Sequence, residues 1–293
     1  MRDLFNHSKQ KIIFLIGITA IYVSLLVHLD FLQGPFWADE AHFWNTSLTF
    51  SHRLLPTLSS LRDYNELNTP LPFIIFGSLE YVFGQDVIAG RLLNFVLSIG
   101  LVTIIGWPRR HNKGENLLCA LGLLLCPYYL MLSGRLYTEI IACTCAVLGF
   151  ACYVHNRHLL SCLAFILAIS SRQYMLAFPI AIAVYEFLAA LLKIVTSREI
   201  DDRQMLRSQW RWIAPTFAAL SIFGWIWLFK GLAPETATAM RSPEVQKTAW
   251  AFSPGVAINF LAVIGAYIVI PEFLLFQPLA KLKTISAHRY SIA

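Results

Sequence analysis

Leu67 to Gly84 reads L-N-T-P-L-P-F-I-I-F-G-S-L-E-Y-V-F-G, and whether it crosses a membrane decides the topology of everything after it. Thr69 is placed to cap a helix whose first position is Pro70, and Gly84 to end it. A helix of about fifteen residues is roughly 22 Å long, short of a hydrocarbon core of about 30 Å. Glu80 also lies inside it. The expectation is a helix lying in the membrane interface.

Working outward, the chain has 293 residues, of which 57% are hydrophobic and 14% charged. That is too apolar for a soluble domain of this size and points to a polytopic membrane protein. With 71–84 in the interface, the apolar runs place spans near 12–29, 88–106, 117–132, 139–154, 159–170, 175–192, 212–229 and 255–277. The first run follows Arg2, Lys9 and Lys11 and has no A-x-A-like site after it, so it reads as a retained signal anchor.

Charge distribution tests this arrangement. It puts fifteen Lys and Arg on the inner side, including Arg109, Arg110, Lys113, Arg157 and the five from Lys193 to Arg211. The outer side holds seven: Arg53, Arg62, Arg135, Arg172, Lys230, Arg241 and Lys247. Counting 71–84 as a span would move twelve of the fifteen outward. The positive-inside rule therefore favours eight spans with both termini inside. The expected fold is an all-α polytopic membrane protein of about eight transmembrane helices, with interfacial helices in the first outer loop. It forms a single membrane-embedded domain over 1–293, its core about 1–230, followed by an outer loop, a last span and a cytoplasmic tail.

Several function classes fall away. The net charge of +6 is spread over loops and forms no basic stripe, which argues against nucleic acid. The six cysteines sit inside apolar runs without C-x-x-C spacing and read as small core residues. No G-x-x-x-x-G-K-[ST], G-x-S-x-G or H-E-x-x-H occurs, and His42 has no second histidine at ligand spacing. No metal or other cofactor is expected.

The outer face gathers the unusual polar groups. F-W-A-D-E-A-H-F-W, Phe36 to Trp44, sets Asp39 and Glu40 among aromatics, and a helix there would put Asp39 and His42 on one face. Glu40 would point roughly 100° away. Arg135 and Glu139 in S-G-R-L-Y-T-E are four apart at a helix start and are expected to share a face, as an ion pair in the plainest reading. Arg172, beside Gln173 in S-S-R-Q-Y, lies in a short link between apolar runs, where a cation needs water, a carboxylate or a phosphate. Arg91 is expected to snorkel outward. Glu186 and Glu272 lie within spans and are expected to bond a neighbouring helix or sit near the inner interface. A carboxylate at a bilayer face with nearby cations suits transfer from a lipid-phosphate donor: the carboxylate deprotonates an acceptor hydroxyl while arginine meets the departing phosphate.

The chain resembles the polytopic GT-C glycosyltransferases, which use polyprenyl-phosphate sugars. The resemblance runs in order over roughly the first 190 residues, through Asp39-Glu40, the Thr69-Pro70-Leu71-Pro72 helix, R-L-L-N at 91–94, P-Y-Y-L-M-L-S-G-R-L-Y-T-E at 127–139 and S-R-Q-Y at 171–174. D-E-A-H, N-T-P-L-P, L-Y-T-E and S-R-Q-Y look most like the dolichol-phosphate-glucose α-1,2-glucosyltransferases. The protein O-mannosyltransferase and aminoarabinose transferase types come next.

The resemblance implies an inverting hexosyltransferase with Asp39 as base, and with Glu40 and His42 beside it in the catalytic loop. Arg135, Glu139, Arg172 and Gln173 would hold the donor. It also implies a lipid-linked or small acceptor, or a partner subunit, since the chain is short for that family. The expected location is a bacterial inner membrane, or the endoplasmic reticulum in a eukaryote. The competing readings are a transporter or lipid flippase and a non-catalytic membrane subunit. The first of these would show repeated halves and ionisable groups at mid-membrane.

Overall fold

A computed structural model describes residues 2–28, 32–37, 39–108, 115–196 and 202–239, together with 254–255, 258, 261–262 and 265. Among the described residues the fold is all helical. In order the elements are α1 (Arg2–His28), α2 (Glu40–Leu48), α3 (Leu58–Arg62), α4 (Leu71–Phe83), α5 (Val87–Gly106), α6 (Glu115–Leu124) and α7 (Pro127–Ser133). Then come α8 (Glu139–Val154), α9 (His158–Ser171), a 3-10 turn at Gln173–Leu176, α10 (Ala177–Thr196), α11 (Asp202–Leu220), α12 (Ile222–Phe229) and α13 (Glu235–Ala239).

Four segments are long and apolar enough to cross a membrane: Ser8–Val27, Val87–Gly106, Gln173–Leu192 and Gln209–Phe229. The fourth runs through α11 and α12. The run expected as one span at 117–132 is broken, with α6 and α7 meeting at 74°. The break falls just before Pro127, whose ring and missing N–H disfavour a continuous helix. α8 and α9 form where spans were expected, but their 16 and 14 residues give only about 24 and 21 Å. The run at 255–277 lies almost wholly outside the described residues, and Glu272 is outside them.

α4 runs close to its expected limits. Gly84 ends it at φ 55° in the left-handed region, donating its N–H to the Glu80 carbonyl at 2.8 Å. Only glycine takes that conformation without steric cost. The start differs from expectation. Pro70 holds the cap position with no side-chain bond, and the buried Thr69 hydroxyl donates instead to the Ile169 carbonyl of α9 at 2.8 Å. Ile169 sits in the last turn of α9, where carbonyls lack helical partners.

The described chain falls into two compact units. One comprises Met1–Gly17, Val102–Leu130 and Pro243–Ala293. In it Phe14 meets Trp107 edge-on at 6.3 Å, and Lys11 Nζ lies 5.6 Å from the same ring centroid.

The other comprises Ile18–Leu101 and Met131–Ser242 and holds every candidate site residue. Here α8 and α9 form a close hairpin. Gly149 faces the Phe165 ring, and the Ser161 hydroxyl donates to the Gly149 carbonyl at 2.8 Å. Small residues at such crossings let helix backbones approach. α2 packs on α4, where Gly77 leaves no room for a side chain beside Ser47 and Phe50. An aromatic column links these elements: Tyr137, Phe43, Phe73, Tyr64 and Phe229 follow one another at centroid separations of 5.4–6.1 Å.

Candidate active site

The start of α2 treats its two adjacent acids in opposite ways. Asp39 stands at the N-cap without a side-chain bond and is exposed. Glu40, the first helical residue, is 0% exposed. A buried carboxylate is tolerable only when paired and hydrogen-bonded, and Glu40 is both. Oε1 accepts from Arg91 Nε and from the Leu136 backbone N–H, each at 2.7 Å. Oε2 accepts from Arg91 Nη2 at 2.7 Å and from the Trp37 N–H at 3.3 Å, with Arg135 Nη1 at 3.5 Å.

Arg91 does not snorkel. It is 1% exposed, and its remaining donors reach the carbonyls of Leu32 (2.8 Å), Gly34 (2.7 Å) and Pro35 (3.4 Å). All five N–H groups of a guanidinium are thereby engaged, and the chain before Asp39 is laced onto one side chain. One turn further along α5, the Asn94 amide donates to the carbonyls of Arg135 and Tyr137, both at 2.7 Å. R-L-L-N thus clamps the catalytic-loop candidate with its first residue and the 135–137 turn with its last.

Arg135 and Glu139 do not pair with each other. α7 ends at Ser133 and α8 begins at Glu139, so no helical turn brings the two together. Arg135 turns to Glu40 and to the Pro35 carbonyl, 2.5 Å away. Glu139 pairs with Arg172.

Arg172 has an extended backbone, φ −150° and ψ 121°, at the break between α9 and the 3-10 turn. Its Nη1 donates to Asn68 Oδ1 at 2.5 Å, and its Nε is buried with no partner among the described residues. Of the partners that a cation in this link needs, Arg172 has a carboxylate, that of Glu139. Gln173 donates to the carbonyls of Leu67 at 2.6 Å and Leu232 at 3.4 Å, tying the 64–69 segment to the chain after α12. His42 is half exposed and turns to the buried Glu66, Nε2 to Oε1 at 3.0 Å.

Tyr137 joins the two halves of the site. Its hydroxyl donates to the Trp37 carbonyl at 3.3 Å, and its ring meets Phe43 edge-on. Burial raises its phenol above the ordinary tyrosine range. The Asp39 backbone amide opposes that shift, while the charges of Asp39, Glu40 and Glu139 add to it. All three carboxylates therefore act on one neutral phenol.

Sequence reasoning missed Tyr137, Asn68 and Glu66 as site residues and misread Arg91. The three-residue spacing of Arg91 and Asn94, which places both on one helix face, was a usable signal. The arrangement offers an exposed carboxylate, Asp39, next to a buried ion pair, and a cation, Arg172, paired with a second carboxylate. Among the described residues no three His, Cys, Asp or Glu side chains cluster as metal ligands. No family model, curated protein or solved structure matches this chain.

Proposed function

We propose that the protein is a multi-pass membrane glycosyltransferase of GT-C type, moving a hexose from a polyprenyl-phosphate donor to a lipid-linked or other acceptor hydroxyl with inversion. The observation that carries this reading is Asp39: an exposed, unengaged carboxylate whose neighbour Glu40 is locked beneath it. A general base needs a free carboxylate within reach of the acceptor proton. In the reaction, Asp39 takes that proton as the acceptor oxygen bonds to the anomeric carbon. The bond from that carbon to the donor phosphate breaks, and its electron pair leaves with the phosphate. Arg172 meets this charge by exchanging Glu139 for phosphate oxygens.

The proposed eight spans are α1, α5, the bent α6–α7 pair, α8, α9, α10, α11 with α12, and 255–277, with α4 in the interface. The site then lies on the extracytoplasmic face, of a bacterial inner membrane or, in a eukaryote, of the endoplasmic reticulum. Incubating membranes that contain the chain with labelled polyprenyl-phosphate hexoses should yield a labelled product that is lost in Asp39→Asn. Absence of any product across the hexose donors would sink the proposal, and vesicle uptake without conversion would point to a transporter.

A further inference from the structure

α8 carries Glu139 at one end and a second polar cluster at the other, about 24 Å away. There the chain turns through Asn156, at φ 58°, into Arg157 at the N-cap of α9. A cavity of about 370 Å³ opens at this turn, lined by Asn156, Arg157, His158, Leu159, Leu160 and Trp210. That volume lies in the range of small-ligand pockets.

The cations near this cavity are unevenly answered. Arg211 is engaged: Nε donates to Glu186 Oε1 at 2.8 Å and Nη1 to Asn156 Oδ1 at 3.3 Å. Glu186 also accepts from the Tyr153 hydroxyl. The exposed Arg157 guanidinium makes no hydrogen bond or ion pair with any described residue. Beside it Leu159, Leu160 and Trp210 are exposed.

A guanidinium with no partner among the described residues, an indole and two exposed leucines around one cavity match a lipid phosphate and the first methylenes of its chains. The cation suits the phosphate, tryptophan favours headgroup depth, and leucines favour hydrocarbon. In sequence, residues 193–211 carry five Lys or Arg against three Asp or Glu. We propose that this cavity binds the phosphate headgroup of an anionic phospholipid in the leaflet opposite the candidate active site. The proposal rests on the membrane topology above but not on transferase chemistry.

The test uses the full chain in nanodiscs of phosphatidylcholine doped with phosphatidylglycerol, with retained lipid counted by native mass spectrometry. Phosphatidylglycerol should be retained about tenfold better than phosphatidylcholine. Arg157→Gln should remove about tenfold of retention, the usual loss for one charge-assisted contact, and Arg157→Lys should restore part of it. Trp210→Ala, on another helix, should lower retention by a smaller factor, so a folding defect in one variant does not decide the outcome. Equal retention of the two lipids, or unchanged retention in both Arg157→Gln and Trp210→Ala, overturns the proposal. So does displacement by inorganic phosphate as effective as by short-chain phosphatidylglycerol, which would assign the cavity to a free anion. A chain without transferase activity can still pass this test.

Discussion

Arg91 and Glu40 form a two-point buried ion pair, Nε to Oε1 and Nη2 to Oε2, both at 2.7 Å. Breaking such a pair by removing one partner typically costs about 3–5 kcal/mol, because the other charge stays buried. Glu40→Gln should therefore be a folding variant before it is a catalytic one, with a lower melting temperature and poor recovery as a monodisperse species in detergent. Arg91→Lys should be intermediate, since an ammonium cannot span both oxygens and three carbonyls. Wild-type thermal stability in Glu40→Gln would contradict the role assigned to the pair.

Gly77 is the second structural pin. A Cβ at this position would lie 2.5 Å from the Ser47 carbonyl oxygen and 2.8 Å from backbone and Cβ atoms of Phe50. Backbone cannot step aside as a flexible side chain can, so Gly77→Ala should force α4 away from α2. Overpacking of this kind costs about 1–3 kcal/mol. A lowered melting temperature is expected, and on the proposed function any surviving activity should also fall, because Asp39 stands at the N-cap of α2. Gly84→Ala should act differently, through its positive φ, and mainly destabilise the end of α4.

On the proposed function, Arg172 should link stability to donor use. Each charge-assisted contact to phosphate contributes about 1.5–3 kcal/mol, so Arg172→Ala should weaken donor use by roughly one to two decades. Asn68→Ala, which removes only the orienting carbonyl at 2.5 Å, should have a smaller effect of the same kind. Steady-state kinetics against donor concentration separates the two. Unchanged donor kinetics in a folded Arg172→Ala enzyme would leave the residue as Glu139's structural partner alone.

Much of this was legible in sequence, and two of the failures, at Thr69 and Arg91, share a cause. Gly84 ended α4 as expected because a helix end needing positive φ is a local problem with a local solution. Thr69 did not cap because its partner, the Ile169 carbonyl, is 100 residues away. In sequence Arg91 suggests snorkelling because its acid lies 51 residues earlier, in a loop whose path no periodicity reveals. The Arg135–Glu139 pair failed for a different reason: spacing of four signals contact only inside a helix, and α8 starts at Glu139 itself. Glu40, Arg135, Glu139 and Arg172 stand out in sequence for their awkward chemistry and are paired in the structure, whereas Tyr137, Asn68 and Glu66 carry no such signal. A charge in an apolar setting must find a partner, even when the sequence does not say which.

Tyr64 gives the fold an alkaline limit. Burial, reinforced by the charge of Glu66, raises its phenol well above the ordinary value of 10.0, and its hydroxyl donates to the Asn68 carbonyl at 2.7 Å. A group whose pKa is raised on folding contributes stability that is complete below its unfolded pKa. That stability is lost as pH rises from the unfolded value towards the folded one. Stability should hold to about pH 10 and then fall. Tyr64→Phe should start lower, through the lost hydrogen bond, but decline less steeply above that pH. Parallel alkaline unfolding curves for the two proteins would remove Tyr64 from this role.

If the proposed function holds, Asp39 should separate chemistry from folding most cleanly. Its carboxylate is exposed and neither caps α2 nor joins the Glu40 network, so Asp39→Asn should leave the melting temperature within experimental scatter of wild type. A general base typically contributes about 10²–10⁴-fold to rate. With nearly the same volume and no charge, asparagine should lose turnover by that order while donor binding stays close to normal. The contrast with Glu40→Gln is the decisive part: one carboxylate should cost rate without stability, its neighbour stability first. Both variants should be assayed for product formation and thermal unfolding in the same membranes. If Asp39→Asn keeps near-normal turnover, the base lies elsewhere. Glu139 is then the next residue to test, because the exchange proposed at Arg172 would free its carboxylate as donor phosphate binds.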